Sequence, residues 1–256
     1  MVEIMAEGRG NADRTIIVTG AGTGMGRAVA DHLLKLGANV TVVGRREAPL
    51  RELSDCRDDR VEAVVVDITR PGAPEHVVAT AVARFGTVHG LVNNAGLARF
   101  APLDEASDTD FERLLATNVR APAALIRAAL PHLRRERGAV VNVSSVGGAL
   151  AMPGRSFYGA SKAALNSLTR SLARELAPDV RVNAILPGPV DTPMWSDMGL
   201  DGEHADSLRS SLLTATPMGR FGEPDEVAKW ICCLLDPGFA GWITGALIPV
   251  DGGRTS

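Results

Sequence analysis

Seven short runs rich in valine, isoleucine, leucine and alanine recur along this chain, at 15–19, 40–43, 61–66, 88–92, 139–143, 180–186 and 246–250. They are apolar along most of their length rather than at every second position, the pattern of a strand covered on both faces. Between them, apolar residues three and four apart predict helices at about 24–36, 48–56, 74–85, 109–135, 156–176 and 224–235. In the first helix Val29, Leu33 and Leu36 share a face, and Gly37 ends it. Buried strands alternating with helices call for a parallel sheet with helices on both faces, and right-handed crossovers make it doubly wound. The expected fold class is therefore α/β, with a single Rossmann-type sheet of about seven strands.

Two segments fall outside that rhythm. Residues 1–13 are polar, lack the apolar stretch of a signal peptide, and are expected to form a disordered tail before one domain at 14–256. Residues 187–217 read as one long irregular stretch inside the domain, and loops of that length are usually functional; a substrate loop is expected there.

Composition narrows the function. With 45% hydrophobic and 22% charged residues and a net charge of −3, the 256 residues describe a soluble globular protein without the basic excess that nucleic acid requires. No run reaches the roughly 18 apolar residues of a membrane span. Cys56, Cys232 and Cys233 form neither a disulfide framework nor a metal pattern, which fits a reducing cytoplasm. The histidines at 32, 76, 89, 132 and 204 lack metal-ligand spacing, so no metal is expected. Of 27 basic residues only Lys35, Lys162 and Lys229 are lysines, which makes Lys162 conspicuous.

Candidate chemistry begins where the first strand runs into Thr19-Gly20-Ala21-Gly22-Thr23-Gly24-Met25-Gly26 and then a helix. Glycines let the backbone turn tightly and approach a pyrophosphate, and the helix N-terminus offers free N–H groups and a positive dipole end. The second strand ends Val43-Gly44-Arg45-Arg46-Glu47. An acid at the Gly44 position would hold the ribose 2′-hydroxyl of NAD, whereas arginine accommodates a 2′-phosphate. NADP(H) is therefore favoured, with NAD(H) the alternative if both arginines are solvated.

Tyr158 is the single tyrosine of the chain, and Lys162 lies four residues on. That spacing puts both on one helix face. An adjacent ammonium favours the phenolate, so the Tyr158 pKa is expected to fall from its ordinary value near ~10. The strand ending in Val143 leads to Ser144-Ser145, and Ser145 stands thirteen residues before Tyr158.

Together these motifs resemble the short-chain dehydrogenase/reductase family over nearly the whole chain after the tail. The resemblance covers Gly20 to Gly26, Asp67 after the third strand, Asn93-Asn94-Ala95-Gly96 after the fourth, Asn118, Ser145, Tyr158, Lys162, Pro187-Gly188, Thr192 and Asp251-Gly252-Gly253. It implies a general acid/base role for Tyr158, tuned by Lys162, which also holds the nicotinamide ribose. It further implies a substrate bond from Ser145 and a water chain supported by Asn118. Cofactor contacts are implied for Gly20, Thr23, Gly24, Met25, Gly26, Arg45, Arg46, Asp67, Ile68, Asn94, Ala95, Gly96, Tyr158, Lys162, Pro187, Gly188, Val190 and Thr192. The thirteen-residue separation selects Ser145 over Ser144, which is expected to satisfy nearby backbone.

Two positions depart from the family pattern. His89 stands where an acid is common, and Thr23 where NADP-preferring members often carry Arg or Lys, leaving the 2′-phosphate to Arg45 and Arg46. Substrate contacts are expected from Leu97, Ala98, residues 150–153, and Met194, Trp195, Met198 and Leu200. They imply a carbonyl or alcohol compound with an apolar body, although the same Met and Trp residues suit plain lid packing. Assembly as a dimer or tetramer is implied by resemblance alone. Two other functions share the fold: a non-catalytic dinucleotide sensor, and a lyase or epimerase without net hydride transfer.

Overall fold

The computed structural model describes residues 9–55, 59–198 and 202–256. Seven parallel strands form one sheet: β1 (Thr15–Thr19), β2 (Asn39–Gly44), β3 (Val61–Val65), β4 (Gly90–Asn93), β5 (Ala139–Val143), β6 (Arg181–Pro187) and β7 (Leu247–Val250). Their order is β3-β2-β1-β4-β5-β6-β7, so the winding reverses between β1 and β4. A crevice opens there beyond the carboxyl ends of the strands, where ligands of open α/β sheets bind.

Side-chain alternation along the strands divides the core in two. On one face Ile16, Val18, Val40, Val42 and Val141 meet α1 (Gly24–Lys35), α2 (Glu47–Asp55) and α8 (Pro224–Leu235) through Val29, Leu33, Leu50 and Ile231. On the other, Ile17, Val43, Leu91 and Val140 meet α3 (Ala73–Phe85), α5 (Ala121–Arg135) and α6 (Ser156–Leu176) through Val77, Leu125, Leu133 and Leu176. Each fully buried Leu or Ile contributes about 1.5–3 kcal/mol, so the two layers fix the strand ends that carry the site.

Three expectations are corrected. Residues 9–13, assigned to the tail, are packed: Arg9–Asn11 form a helical turn, Asn11 Nδ2 donates to the Cys232 carbonyl at 3.1 Å, and Asp13 N donates to the Gly37 carbonyl at 2.9 Å. Tertiary hydrogen bonds hold a segment too polar to announce itself; the rest of the assigned tail, 1–8, lies outside the described residues. The helix expected at 109–135 is divided into α4 (Asp108–Leu115), a π-turn (Ala116–Arg120) and α5. Pro122 at the start of α5 has no N–H, so the Asn118 carbonyl four residues earlier loses its regular donor and the helix widens. The stretch 187–217 is not irregular throughout: it contains a short helix (Pro193–Asp197) and α7 (Gly202–Thr214). Serine-rich α7 buries only Leu212 and so shows almost no apolar periodicity. The remaining helix is α9 (Pro237–Ala240). None of the described helices is long and apolar enough to cross a membrane.

Candidate active site

The β1–α1 turn is built to approach a ligand closely. Gly20 and Gly24 take positive φ, +66° and +56°, and a Cβ on Gly26 would lie 2.3 Å from the Gly20 carbonyl oxygen. Gly26 therefore packs helix against turn instead of facing the cleft. Thr23 caps α1 without a side-chain bond to it, and its hydroxyl accepts from Arg46 Nη2 at 3.2 Å. The first N–H groups of α1 are thus left to solvent or an anion.

Across the switch point, Asn94 Nδ2 donates to the Thr19 carbonyl at 2.9 Å, while Thr19 Oγ1 accepts from the N–H groups of Asn94 and Ala95, both at 3.0 Å. These bonds hold the ends of β1 and β4 open at a fixed width. The resulting cleft, about 590 Å³, is lined by Gly20, Thr23, Gly24, Met25, Arg45, Arg46, Asp67, Ile68, Asn94, Ala95, Gly96 and Thr192. Its volume falls in the range of cofactor sites. Desolvation pushes the Asp67 carboxyl up, but bonds from Thr69 N (2.9 Å) and Thr69 Oγ1 (2.7 Å) outweigh it, and the pKa settles below the usual value. Asp67 remains an anion at the cleft wall.

An adjoining cavity shares Met25, Asn94, Gly96, Leu97, Thr192 and Met194 with the cleft and reaches Ser145, Tyr158, Lys162, Pro187, Gly188 and Val190. The carboxyl end of β5 delivers Ser145, and the first two turns of α6 deliver Tyr158 and Lys162. Ser145 Oγ accepts from Gly147 N at 3.0 Å, and Ser144 Oγ donates to the Lys162 carbonyl at 3.2 Å, the backbone role expected of it. Lys162 Nζ donates to the Val143 carbonyl at 3.0 Å and lies 5.9 Å from the centre of the Tyr158 ring. Burial lowers the Lys162 pKa to about 8.

Tyr158 behaves differently from the sequence expectation. Desolvation raises its pKa above the ordinary value, and the Ser145 hydroxyl and the Arg155 charge only partly counter it. Lys162 Nζ is spent on the Val143 carbonyl, so it does not dominate the phenol. The phenol keeps its proton at neutral pH, the state an acid needs.

Asn118, in the π-turn, does not line either space. Its Oδ1 accepts from Leu97 N and its Nδ2 donates to Leu97 O, both at 2.9 Å, and Nδ2 also reaches Ser161 Oγ at 3.0 Å. A Cβ added to Gly96 would sit 3.5 Å from Asn118 Oδ1 and 3.6 Å from Lys162 Nζ, so that glycine leaves the space between them open.

The substrate side is largely apolar. Met152, Met194, Trp195 and Met198 line it as expected; Leu200 lies outside the described residues. Ala98 lines the cofactor cleft instead, and of residues 150–153 only Met152 faces the cavity. Trp195 is anchored by a 2.8 Å bond to the Val190 carbonyl and by stacking on Phe221 with ring centres 5.2 Å apart. Sequence reasoning missed Phe100, Arg155, Leu212 and Arg254. Of these only Arg155 left a signal, standing three residues before Tyr158. Among the described residues no cluster of histidine, cysteine or carboxylate side chains is placed to hold a metal.

A fold wound around a dinucleotide-sized crevice, with Ser145, Tyr158 and Lys162 converging beside it, defines a nicotinamide-dependent oxidoreductase class, and the comparisons agree. Residues 20–255 match a family model described as enoyl-(acyl carrier protein) reductase. A tropinone reductase homolog of Arabidopsis thaliana is 39% identical over 247 residues, 94% of this chain and 90% of that protein. A 3-oxoacyl-[acyl-carrier-protein] reductase of Thermotoga maritima is 32% identical over 94% of this chain and 97% of its own length. The structure of a 3-ketoacyl-(acyl-carrier-protein) reductase from Brucella melitensis, complexed with NADH, superposes with a TM-score of 0.88 at 31% identity, covering 96% of this chain and all of that one. The chain belongs to the short-chain dehydrogenase/reductase family, and it is an NAD(P)-dependent oxidoreductase acting on CH–OH and C=O groups.

Proposed function

We propose that this protein is an NADP(H)-dependent carbonyl reductase or alcohol dehydrogenase in which Tyr158 is the general acid/base. The observation that carries the reading is the cavity itself: Ser145, Tyr158 and Lys162 line one space that opens directly into the glycine-turn cleft. The uncapped start of α1 suits a pyrophosphate, Asp67 and Ile68 suit the adenine end, and Val190 and Thr192 suit the carboxamide. Exposed Arg45 and Arg46 at the end of β2 suit a 2′-phosphate, which favours NADP(H) over NAD(H). The nicotinamide, when bound, supplies the hydride for reduction and takes it back in oxidation.

Residues of the chain manage the oxygen. Ser145 hydrogen-bonds the substrate carbonyl oxygen, which gains negative charge as the carbon is reduced. Tyr158 gives its proton to that oxygen, so that the C=O bond becomes CH–OH; in the reverse direction its phenolate removes the same proton. Lys162 recharges the phenol and holds ribose hydroxyls, and Asn118 keeps the Leu97 turn in place beside a water path to bulk. Apolar walls from Met152 and Trp195 exclude solvent from the reacting carbon. The protein acts on a small-molecule substrate and is proposed to work in the cytoplasm as a dimer or tetramer.

NADPH oxidation against a panel of ketones and aldehydes tests this. Wild type is expected to consume NADPH, and Tyr158→Phe to lose at least about 100-fold in kcat. Turnover without net NADPH consumption would favour a lyase or epimerase. Tight NADPH binding with no turnover of any carbonyl would favour a sensor.

A further inference from the structure

The cavity beside Tyr158 carries two positive charges that this chemistry does not use. Arg155 lies immediately before α6 and Arg254 in the turns after β7, and both line the cavity. No carboxylate is found among its described lining residues. The Arg155 guanidinium lies over the Phe100 ring, 5.7 Å from its centre, and Arg254 Nη1 reaches one carbonyl, that of Leu212, at 3.5 Å. Asp251, three residues before Arg254, has its carboxylate committed to Gly253 N (3.0 Å), Thr255 N (2.9 Å) and the Thr255 hydroxyl (2.6 Å). Burial, and next the charge of Arg254, hold the Arg155 pKa below its ordinary value. The Arg155 guanidinium is partly desolvated, and both arginines face one space.

An anion between them would offset the desolvation of Arg155, and guanidinium groups match carboxylate geometry. Stacking on Phe100 explains Arg155 alone; it does not explain a second arginine turned to the same cavity.

Building on the carbonyl-reductase reading, we propose that the substrate carries an oxyanion, in the first place a carboxylate, seated between Arg155 and Arg254. Its apolar body lies against Met152, Met194 and Trp195, and its oxo group meets Ser145 and Tyr158. Arg155, the residue before α6, precedes Tyr158 by three residues, about 4.5 Å of helical rise, which suits an oxo group a few carbons from the carboxylate.

The test compares 4-oxo-4-phenylbutanoate with its methyl ester in wild type, Arg155→Met, Arg155→Lys and Arg254→Met, with NADPH and with NADH. Wild type is expected to favour the acid at least tenfold in kcat/KM, with the acid/ester ratio falling towards one in both Met variants and partly restored in Arg155→Lys. Arg155 also biases the Tyr158 phenol, but that effect reaches acid and ester alike and cancels in the ratio. Calorimetry with unreactive 4-phenylbutanoate gives a second readout, with binding at least tenfold weaker in the Met variants. An ester used as well as the acid by wild type, with Tyr158-dependent turnover, overturns the anion site and leaves the carbonyl-reductase reading standing. No turnover of either, with 4-phenylbutanoate binding lost in Arg155→Met, sinks the reaction and keeps the anion site. Neither turnover nor binding overturns both.

Discussion

Lys162 Nζ donates to the carbonyl oxygen of Val143 at 3.0 Å, tying the second turn of α6 to the last residue of β5. This bond orients the ammonium inside a space where burial disfavours its charge and lowers its pKa from 10.5 to about 8. Below pH 8 both folded and unfolded chains carry the proton, and the folded state bears the cost of the buried charge. Between pH 8 and 10.5 the folded chain has released it while the unfolded chain has not, so this group makes stability rise with pH. Wild type should gain about 3 kcal/mol over that window relative to Lys162→Met, the size of the shift converted to free energy. Urea unfolding of both proteins at pH 7 and 10.5 checks it; a constant difference between them would place the ammonium in contact with water.

Asn118 is expected to matter as much for shape as for proton transfer. Its side chain satisfies both backbone groups of Leu97 and touches Ser161. Replacing it with Leu strands that half-buried donor and acceptor, at about 1–3 kcal/mol each. Asn118→Leu should thus be destabilised by roughly 2–6 kcal/mol in urea unfolding. A stability within 0.5 kcal/mol of wild type, about the noise of a neutral surface change, would show that Leu97 finds other partners.

The proposed NADP(H) preference is tested first at Arg45, because Arg46 Nη2 already donates to Thr23 Oγ1 at 3.2 Å. Arg45→Ala is expected to lower kcat/KM with NADPH by roughly tenfold or more, about the 1.5–3 kcal/mol of one charge-assisted bond. NADH should be nearly unaffected. Equal loss with both cofactors, or none with either, would remove Arg45 as the discriminator.

The sheet and the crevice were legible in the sequence because buried parallel strands are apolar throughout and the glycine turn has no cheaper explanation. Ser145 and Tyr158 were legible as a pair through their spacing and setting. What escaped depends on tertiary packing. Pro122 breaks the long helix by removing one donor, a local event inside an otherwise unbroken periodic pattern. The α7 helix buries one leucine, too little to mark a face. The fall predicted for the Tyr158 pKa assumed that four-residue spacing decides the coupling, whereas desolvation and the Val143 carbonyl decide it. Arg254 reaches the cavity from the far end of the chain, and no spacing rule connects it to Tyr158.

His89 replaces the acid that the family pattern places before β4, and its geometry shows how. Its Nδ1 accepts the Thr15 N–H at 3.0 Å, at the start of β1, so the ring must be unprotonated there. Burial lowers the His89 pKa, Arg14 adds to the effect, and Glu136 opposes it. As pH falls below 6.5 the unfolded chain takes up a proton that the folded chain resists, and stability is lost as pH drops through the folded value. His89→Asn keeps a side-chain acceptor and does not titrate. Its thermal midpoint should therefore fall less than that of wild type between pH 7 and 5. If the two midpoints fall in parallel, the Thr15 bond survives protonation, and the imidazole must have turned its other nitrogen to the strand.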